Sequence, residues 1–270
     1  LWDLMGRTVG WPVHRFWGGL AREKVDYFGF VQGDTTEELA RSAARLAAEN
    51  YSVIYLKVGR GEGPDLENVA AVRANIGRRR LRLDANEAWD PSTAIRMIRK
   101  LEVFEPEFIE QPTPARCLAA LKQVKESVDV SIAADQSVFT LQDVYEICRQ
   151  RAADLLVLSP HETGGLWMFR QAAAVAEAAG ISICLHGQSI SGLTDCAQHQ
   201  VALTLPNLTE GNQIMHQLLE EDLIKKPDLT PINGEIGLLD GPGLGCELCP
   251  EAVARAAKRY VEWAGQLKSS

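Results

Sequence analysis

The sequence predicts an α/β fold in which a single sheet closes on itself as a barrel. Three observations carry that prediction. Eight short apolar runs of strand character recur along the chain, with starts 27, 28, 26, 24, 24, 27 and 26 residues apart. Amphipathic segments of helical period lie between them. A polar residue stands at or one place before the end of each of the last seven runs, which is how a parallel barrel displays its working rim. An open doubly wound sheet shares the alternation of strand and helix, and the series of polar strand ends favours closure.

In chain order the runs are VDYFGF (25–30), SVIYLKV (52–58), RLRLD (80–84), PEFIE (106–110), VSIAAD (130–135), DLLVLS (154–159), ISICLH (181–186) and NLTE (207–210). Between them stand TTEELARSAARLAAEN, GPDLENVAAVRANIG, STAIRMIRKLE, CLAALKQVKESV, LQDVYEICRQRA, GLWMFRQAAAVAEAAG and GLTDCAQHQVALTL. Their apolar residues repeat at intervals of three and four, the stripe a helix needs to cover a sheet. Acidic or small polar residues open several of these segments, and Gly77 and Gly180 close two. Beyond residue 210 the chain is rich in Gly and Pro and reads as a looped tail, until EAVARAAKRYVEWAG restores helical period. The expected organisation is a leading segment over 1–24, a barrel over 25–210, and a tail with a terminal helix over 211–270. The chain opens at Leu1, inside the amphipathic LWDLMGRTVG and without an initiator Met, and reads as continuing from something upstream.

A length of 270 residues, 46% hydrophobic and 24% charged, fits one large barrel. A net charge of -8 argues against nucleic acid, whose phosphates want a basic face. It is compatible with a small anionic substrate, because a bound metal dominates its local field. No apolar stretch approaches the roughly 18 residues that cross a bilayer, and no signal-peptide pattern opens the chain. A soluble protein without a membrane partner is expected. The six cysteines are scattered, as reduced thiols are in a cytoplasmic α/β protein. Cys246 and Cys249 form a CxxC in GCELCPE, but a second ligand pair or a thioredoxin-like strand is missing. They read as incidental thiols.

The chemistry is concentrated at the strand ends Lys57, Asp84, Glu110, Asp135, Ser159, His186 and Glu210. Asp84, Glu110 and Asp135 are 26 and 25 residues apart, one strand-helix unit each, so their carboxylates converge on one rim. Any one of them alone reads as a helix cap or a rim ion pair. Three adjacent acids repel, and a hard divalent cation such as Mg2+ relieves that repulsion through oxygen ligands. Asn86, two residues past Asp84, projects from the same side and can hydrogen-bond a ligand or substrate. Lys57 is the candidate base, since an amine desolvated beside a cation sheds its proton more readily. It would take a proton from the carbon next to a metal-bound carboxylate, giving an enediolate that the metal stabilises. His186 lies nearly across the ring from Lys57, and a base on each face of a planar enolate serves a racemase or epimerase. Used as an acid, it serves a dehydratase. His161, two residues past Ser159 on the adjacent strand, reads either as a neighbour of His186 or as a plain loop residue. GRGEG (59–63) offers backbone N–H groups near a helix start, where an anion can sit or a plain turn form.

YLKVG, LRLDANEAWD, FIEQP, IAADQS, the HETGGL loop and ISICLHG together resemble the barrel of the enolase superfamily, in its mandelate racemase/muconate lactonizing branch. WDLMGRTVGWPVHRFWGG resembles the segment leading into that barrel, and GPGLGCEL its C-terminal tail. The resemblance covers nearly the whole chain. It implies a modified TIM barrel, (β/α)7β, with Mg2+ (or Mn2+) held by Asp84, Glu110 and Asp135. It also implies that Lys57 matches the second lysine of the family's KxK, that a small carboxylate is the substrate, and that the chain assembles as a homo-oligomer, a dimer or octamer. Four departures stand out. Tyr55 replaces the first lysine of KxK, and Gln136 replaces the glutamate of ADES. Ser159 stands where relatives carry a lysine or an aspartate, so His186 lacks the usual carboxylate partner. The family's N-terminal capping domain is missing. Racemisation or epimerisation, β-elimination and cycloisomerisation all follow from the same first step. Two rival readings are a barrel lyase or aldolase forming a Schiff base on Lys57, and a non-catalytic member that binds metal and ligand.

Overall fold

The computed structural model describes residues 1–187, 190–239 and 241–267. The first apolar run splits. Val25–Asp26 (β1) turns aside to pair antiparallel with Glu235–Ile236 of the tail, and Gly29–Phe30 (β2) begins the main sheet. From there seven parallel strands follow chain order: β2, Val53–Lys57 (β3), Arg80–Asp84 (β4), Phe108–Glu110 (β5), Ser131–Ala134 (β6), Leu155–Leu158 (β7) and Ser182–Leu185 (β8). The eighth expected run forms no regular strand and yet closes the ring. Leu208 bridges to Ile183 on one side and Asn212 to Tyr27 on the other. Thr209 N–H donates to Ile183 O at 2.8 Å and Phe28 N–H to Asn212 O at 3.0 Å. Side chains complete the seam: Arg82 Nη2 donates to Glu210 O at 2.6 Å, and Asn212 Oδ1 accepts from Leu185 N–H at 2.8 Å. Gly211 has φ +74°, and a Cβ there would fall 2.7 Å from Val53, so only glycine fits.

Between the strands run Thr36–Ala48 (α2), Glu62–Ile76 (α3), Pro91–Leu101 (α4), Leu118–Lys125 (α5), Leu141–Gln150 (α6), Leu166–Ala178 (α8) and Gly192–Ala202 (α9). Trp2–Val9 (α1) precedes them and Pro250–Leu267 (α10) follows. Their starts obey local chemistry. Thr35 with Glu38, and Thr140 with Asp143, form reciprocal capping boxes, and Asp90 accepts from Ser92 and Thr93 N–H ahead of Pro91. Their buried faces keep the three-and-four spacing, as in Ala94, Met97, Ile98 and Leu101 of α4.

Strand alternation divides the core in two. Ile54, Leu56, Leu81, Leu83, Ile109, Ile132, Leu156 and Ile183 point outward to the helices. Phe108, Ala133, Leu155, Val157 and Cys184, with Phe28, Val53 and Tyr55 opposite, fill the barrel's interior. Among the described residues no helix is long and apolar enough to cross a membrane. The GRGEG loop holds an anion of its own chain: the buried Asp65 accepts from Gly59 and Arg60 N–H, both at 3.0 Å. All six cysteines are free, and Cys246 is buried whereas Cys249 is partly exposed.

Candidate active site

Register places the functional side chains. Lys57 pairs with Asp84 across β3 and β4, and Asp84 with Glu110 across β4 and β5, so the three occupy one row at the C-terminal mouth. Glu110 pairs with Ala133, which sets Asp135 one inward-facing step nearer the rim. Asp135 is further fixed by Gln111, a buried loop residue with φ +35°, whose Oε1 accepts from the Asp135 and Ser137 N–H groups at 3.0 and 3.2 Å.

The row is densely bonded. Lys57 Nζ donates to Asp84 Oδ2 at 2.5 Å and to Asn86 Oδ1 at 2.6 Å. Asn86 N–H donates to Asp84 Oδ1 at 2.8 Å. The Tyr55 hydroxyl reaches Asp84 Oδ2 at 2.5 Å and Glu110 Oε1 at 3.1 Å. The Lys57 side chain keeps 40% of its surface exposed, whereas that of Asp84 keeps none. Glu110 is pushed well above the usual carboxylate range, first by burial and then by the Asp84 and Asp135 charges. Burial also raises Asp135, and contact with His186 pulls it partly back.

His186 contributes from the other side. Its Nδ1 stands 2.9 Å from Asp135 Oδ1 and 3.2 Å from Glu162 Oε1. The ring N–H is aimed squarely at neither oxygen, so these are ion-pair contacts and not aligned hydrogen bonds. Burial opposes charge on this imidazole, but Asp135 and Glu162 outweigh it and raise the ring to about 10.

Sequence reasoning missed Glu162. The segment read as a loop is a short helix, Pro160–Thr163 (α7), capped by Ser159, and Glu162 lies in its first turn. Ser159 Oγ donates to Glu162 Oε2 at 2.7 Å. Burial disfavours the Glu162 anion, and His186 and Ser159 more than compensate, so it sits below its ordinary range. Ser159 leaves His186 without the usual aspartate, and a carboxylate arrives instead three residues later, from Glu162. The S-x-x-E spacing of SPHE, a helix-start signature, was the available signal. His161 lies 3.4 Å from Ser159 Oγ, with its ring edge-on to that of His186 at 6.0 Å. Gln136, partly buried beyond Asp135, has its Oε1 without a hydrogen bond among the described residues.

The expectation for Glu210 is corrected. It lies at the opposite mouth, pairs with Arg80, and has a side chain 63% exposed. The closing segment runs further than the apolar run that marked it. Gln213 ends it at the functional mouth, with Oε1 accepting from Gly187 N–H at 2.7 Å.

Mg2+ fits the donor set. Asp84, Glu110 and Asp135 offer hard oxygens, Asp135 Oδ1 is buried without an aligned hydrogen bond, and Glu110 is a fully enclosed acid crowded by two others. Among the described residues no three His, Cys, Asp or Glu side chains already stand as a finished cage. Lys57, Tyr55 and His186 hold the carboxylates instead.

The fold and mouth define a parallel α/β barrel with its polar apparatus at the C-terminal strand ends. More narrowly, the chain belongs to the family described as Enolase C-terminal domain-like, which its residues 38–252 match, in the mandelate racemase/muconate lactonizing branch. Muconate cycloisomerase 1 of Rhodococcus opacus is 34% identical over 259 residues, covering 94% of this chain and 69% of the relative. L-Ala-D/L-Glu epimerase of Clostridium acetobutylicum is 30% identical, covering 92% and 69%. The crystal structure of dipeptide epimerase from Enterococcus faecalis V583, complexed with Mg and the dipeptide L-Leu-L-Tyr, superposes with a TM-score of 0.83 at 26% identity, covering 91% and 70%. These relatives are isomerases.

Proposed function

We propose that this barrel catalyses isomerisation of a small carboxylate by removing the proton from the carbon next to the carboxylate. Lys57 acts as base and His186 as the second acid/base. The carrying observation is that the two cationic side chains meet one carboxylate cluster from different sides, Lys57 on Asp84 and His186 on Asp135. A planar carbon acid lying over that cluster presents one face to each.

Mg2+, or Mn2+ in its place, held by Asp84, Glu110 and Asp135, supplies positive charge beside the substrate carboxylate and so acidifies the neighbouring carbon. The chain's own groups do the rest. Lys57 Nζ takes or returns the proton on one face, with Asn86 orienting it. His186, flanked by Glu162, handles the other. The interior packing of Phe108, Ala133 and Val157 closes the floor beneath and excludes water. Cycloisomerases and epimerases among the relatives support epimerisation or cycloisomerisation over β-elimination. The six free thiols support a cytoplasmic setting.

The test is incorporation of deuterium from heavy water at the α-carbon of a panel of dipeptides, N-acyl amino acids, acid sugars and lactones, using the complete protein. Lys57→Ala is expected to lower exchange by about 10²–10⁴-fold, and EDTA to abolish it. Exchange surviving both treatments sinks the proposal.

A further inference from the structure

Tyr55 interrupts the family pattern at its most charged point, and its surroundings give it a task. The residue sits on β3, one row below Lys57, with its ring buried and stacked on Phe28 at a centroid distance of 4.3 Å and an interplanar angle of 6°. Phe30 tilts against the same ring at 5.8 Å. That aromatic stack fixes where the hydroxyl can be. The hydroxyl stands 2.5 Å from Asp84 Oδ2 and 3.1 Å from Glu110 Oε1, touching carboxylates from two neighbouring strands at once. Lys57 Nζ lies 5.6 Å from the ring centroid, so the ring face also borders the ammonium group.

A carboxylate on its own rotates about its terminal bond, and two like charges on adjacent strands turn away from each other. A rigid neutral hydroxyl held against both, with its single proton given to one oxygen at a time, opposes that rotation without adding charge. We infer that Tyr55 is a positioning residue that sets the spacing and orientation of Asp84 and Glu110 for a divalent cation, and that its hydroxyl governs the affinity of the mouth for Mg2+. A phenol orients the two carboxylates and leaves their charge available. Groups that orient metal ligands in this way change metal affinity by about 10- to 100-fold when removed. The inference rests on the reading of the three acids as Mg2+ ligands.

Calorimetric titration of Mg2+ into the substrate-free protein separates the two ideas. Wild type is expected to bind, and Tyr55→Phe, which keeps the stack on Phe28 and loses only the hydroxyl, to bind about 10- to 100-fold more weakly with a cooperative thermal melt retained. Wild-type binding with equal or tighter binding by Tyr55→Phe overturns the role of Tyr55 and leaves the acid ligands standing. Absence of wild-type binding overturns the ligand reading and the inference with it. Should Tyr55→Phe lose its cooperative melt, the same titration of Phe28→Leu decides. It keeps the hydroxyl but frees the ring, so weaker Mg2+ binding is required and unchanged binding overturns the inference.

Discussion

The two mouths of this barrel use the same chemistry to opposite ends. At the N-terminal mouth Arg80 and Arg82 face Glu107 and Glu210, and each acid has a guanidinium partner. Arg82, wholly enclosed, also bonds the carbonyls of Glu210 and Gly211 and lies over the Phe108 ring at 4.7 Å. At the C-terminal mouth, among the described residues, Asp84, Glu110, Asp135 and Glu162 share Lys57 and His186, with His161 3.9 Å from Glu162. One strand, β4, supplies both ends: Arg80 and Arg82 below, Asp84 above. Matched charge makes a plug, and excess acid makes a site. An ionisable residue inside a barrel therefore says little until its neighbours are counted.

Arg82→Ala tests the plug and carries the largest expected effect. It leaves Glu107 with Arg80 alone and takes the guanidinium donor from the Glu210 and Gly211 carbonyls, at a cost of about 1–3 kcal/mol for each carbonyl, read by denaturant unfolding. A loss below ~1 kcal/mol would erase the distinction between the mouths.

Next comes a titration away from both mouths, which shows which pH effects are purely structural. Burial holds His199 down to about 4. It is neutral in the fold, accepting from the Tyr27 hydroxyl at Nδ1 and donating to Gly237 O from Nε2. The unfolded chain protonates it near 6.5. Its contribution is thus complete above 6.5 and is lost as pH falls from 6.5 towards 4, by an amount on the order of 3 kcal/mol. Unfolding free energies measured across that window should slope accordingly, and His199→Gln should flatten the slope.

Glu162→Gln sharpens the upper mouth. Proton delivery from the His186 face is expected to fall about tenfold, with delivery from the Lys57 face unchanged. Face-resolved deuterium incorporation reads the difference, and an equal loss on both faces would deny Glu162 a role tied to His186. The smallest effect belongs to Glu210→Gln. It removes a largely exposed pair worth about 0–1 kcal/mol and leaves exchange unaltered. A substantial loss of exchange would return Glu210 to the functional end.

Much of this is legible in the sequence. The period of the apolar runs located seven strands, because buried parallel strands leave continuous apolar signatures. The acids at 84, 110 and 135 were legible because each ends such a run. Glu210 misled because the last segment has too little apolar alternation to mark its end. Its bonds come from Arg82 and Asn212, residues whose long-range partners no local pattern reveals. Glu162 was hidden by a helix of one turn, too short for periodicity to register. GRGEG, open to an anion or a plain turn, is filled by Asp65, four residues past its second glycine, a partner the loop's composition does not disclose.

The stitched closure between the first and last staves has an evolutionary consequence. Regular ladders tolerate exchange of side chains because the backbone does the joining. Here Asp26 Oδ1 accepts from Gly211 N–H at 2.6 Å, Asn212 ties to Leu185, and Arg82 holds the carbonyls between them. Those three identities brace one seam together, so their replacements are expected to be non-additive and to travel together.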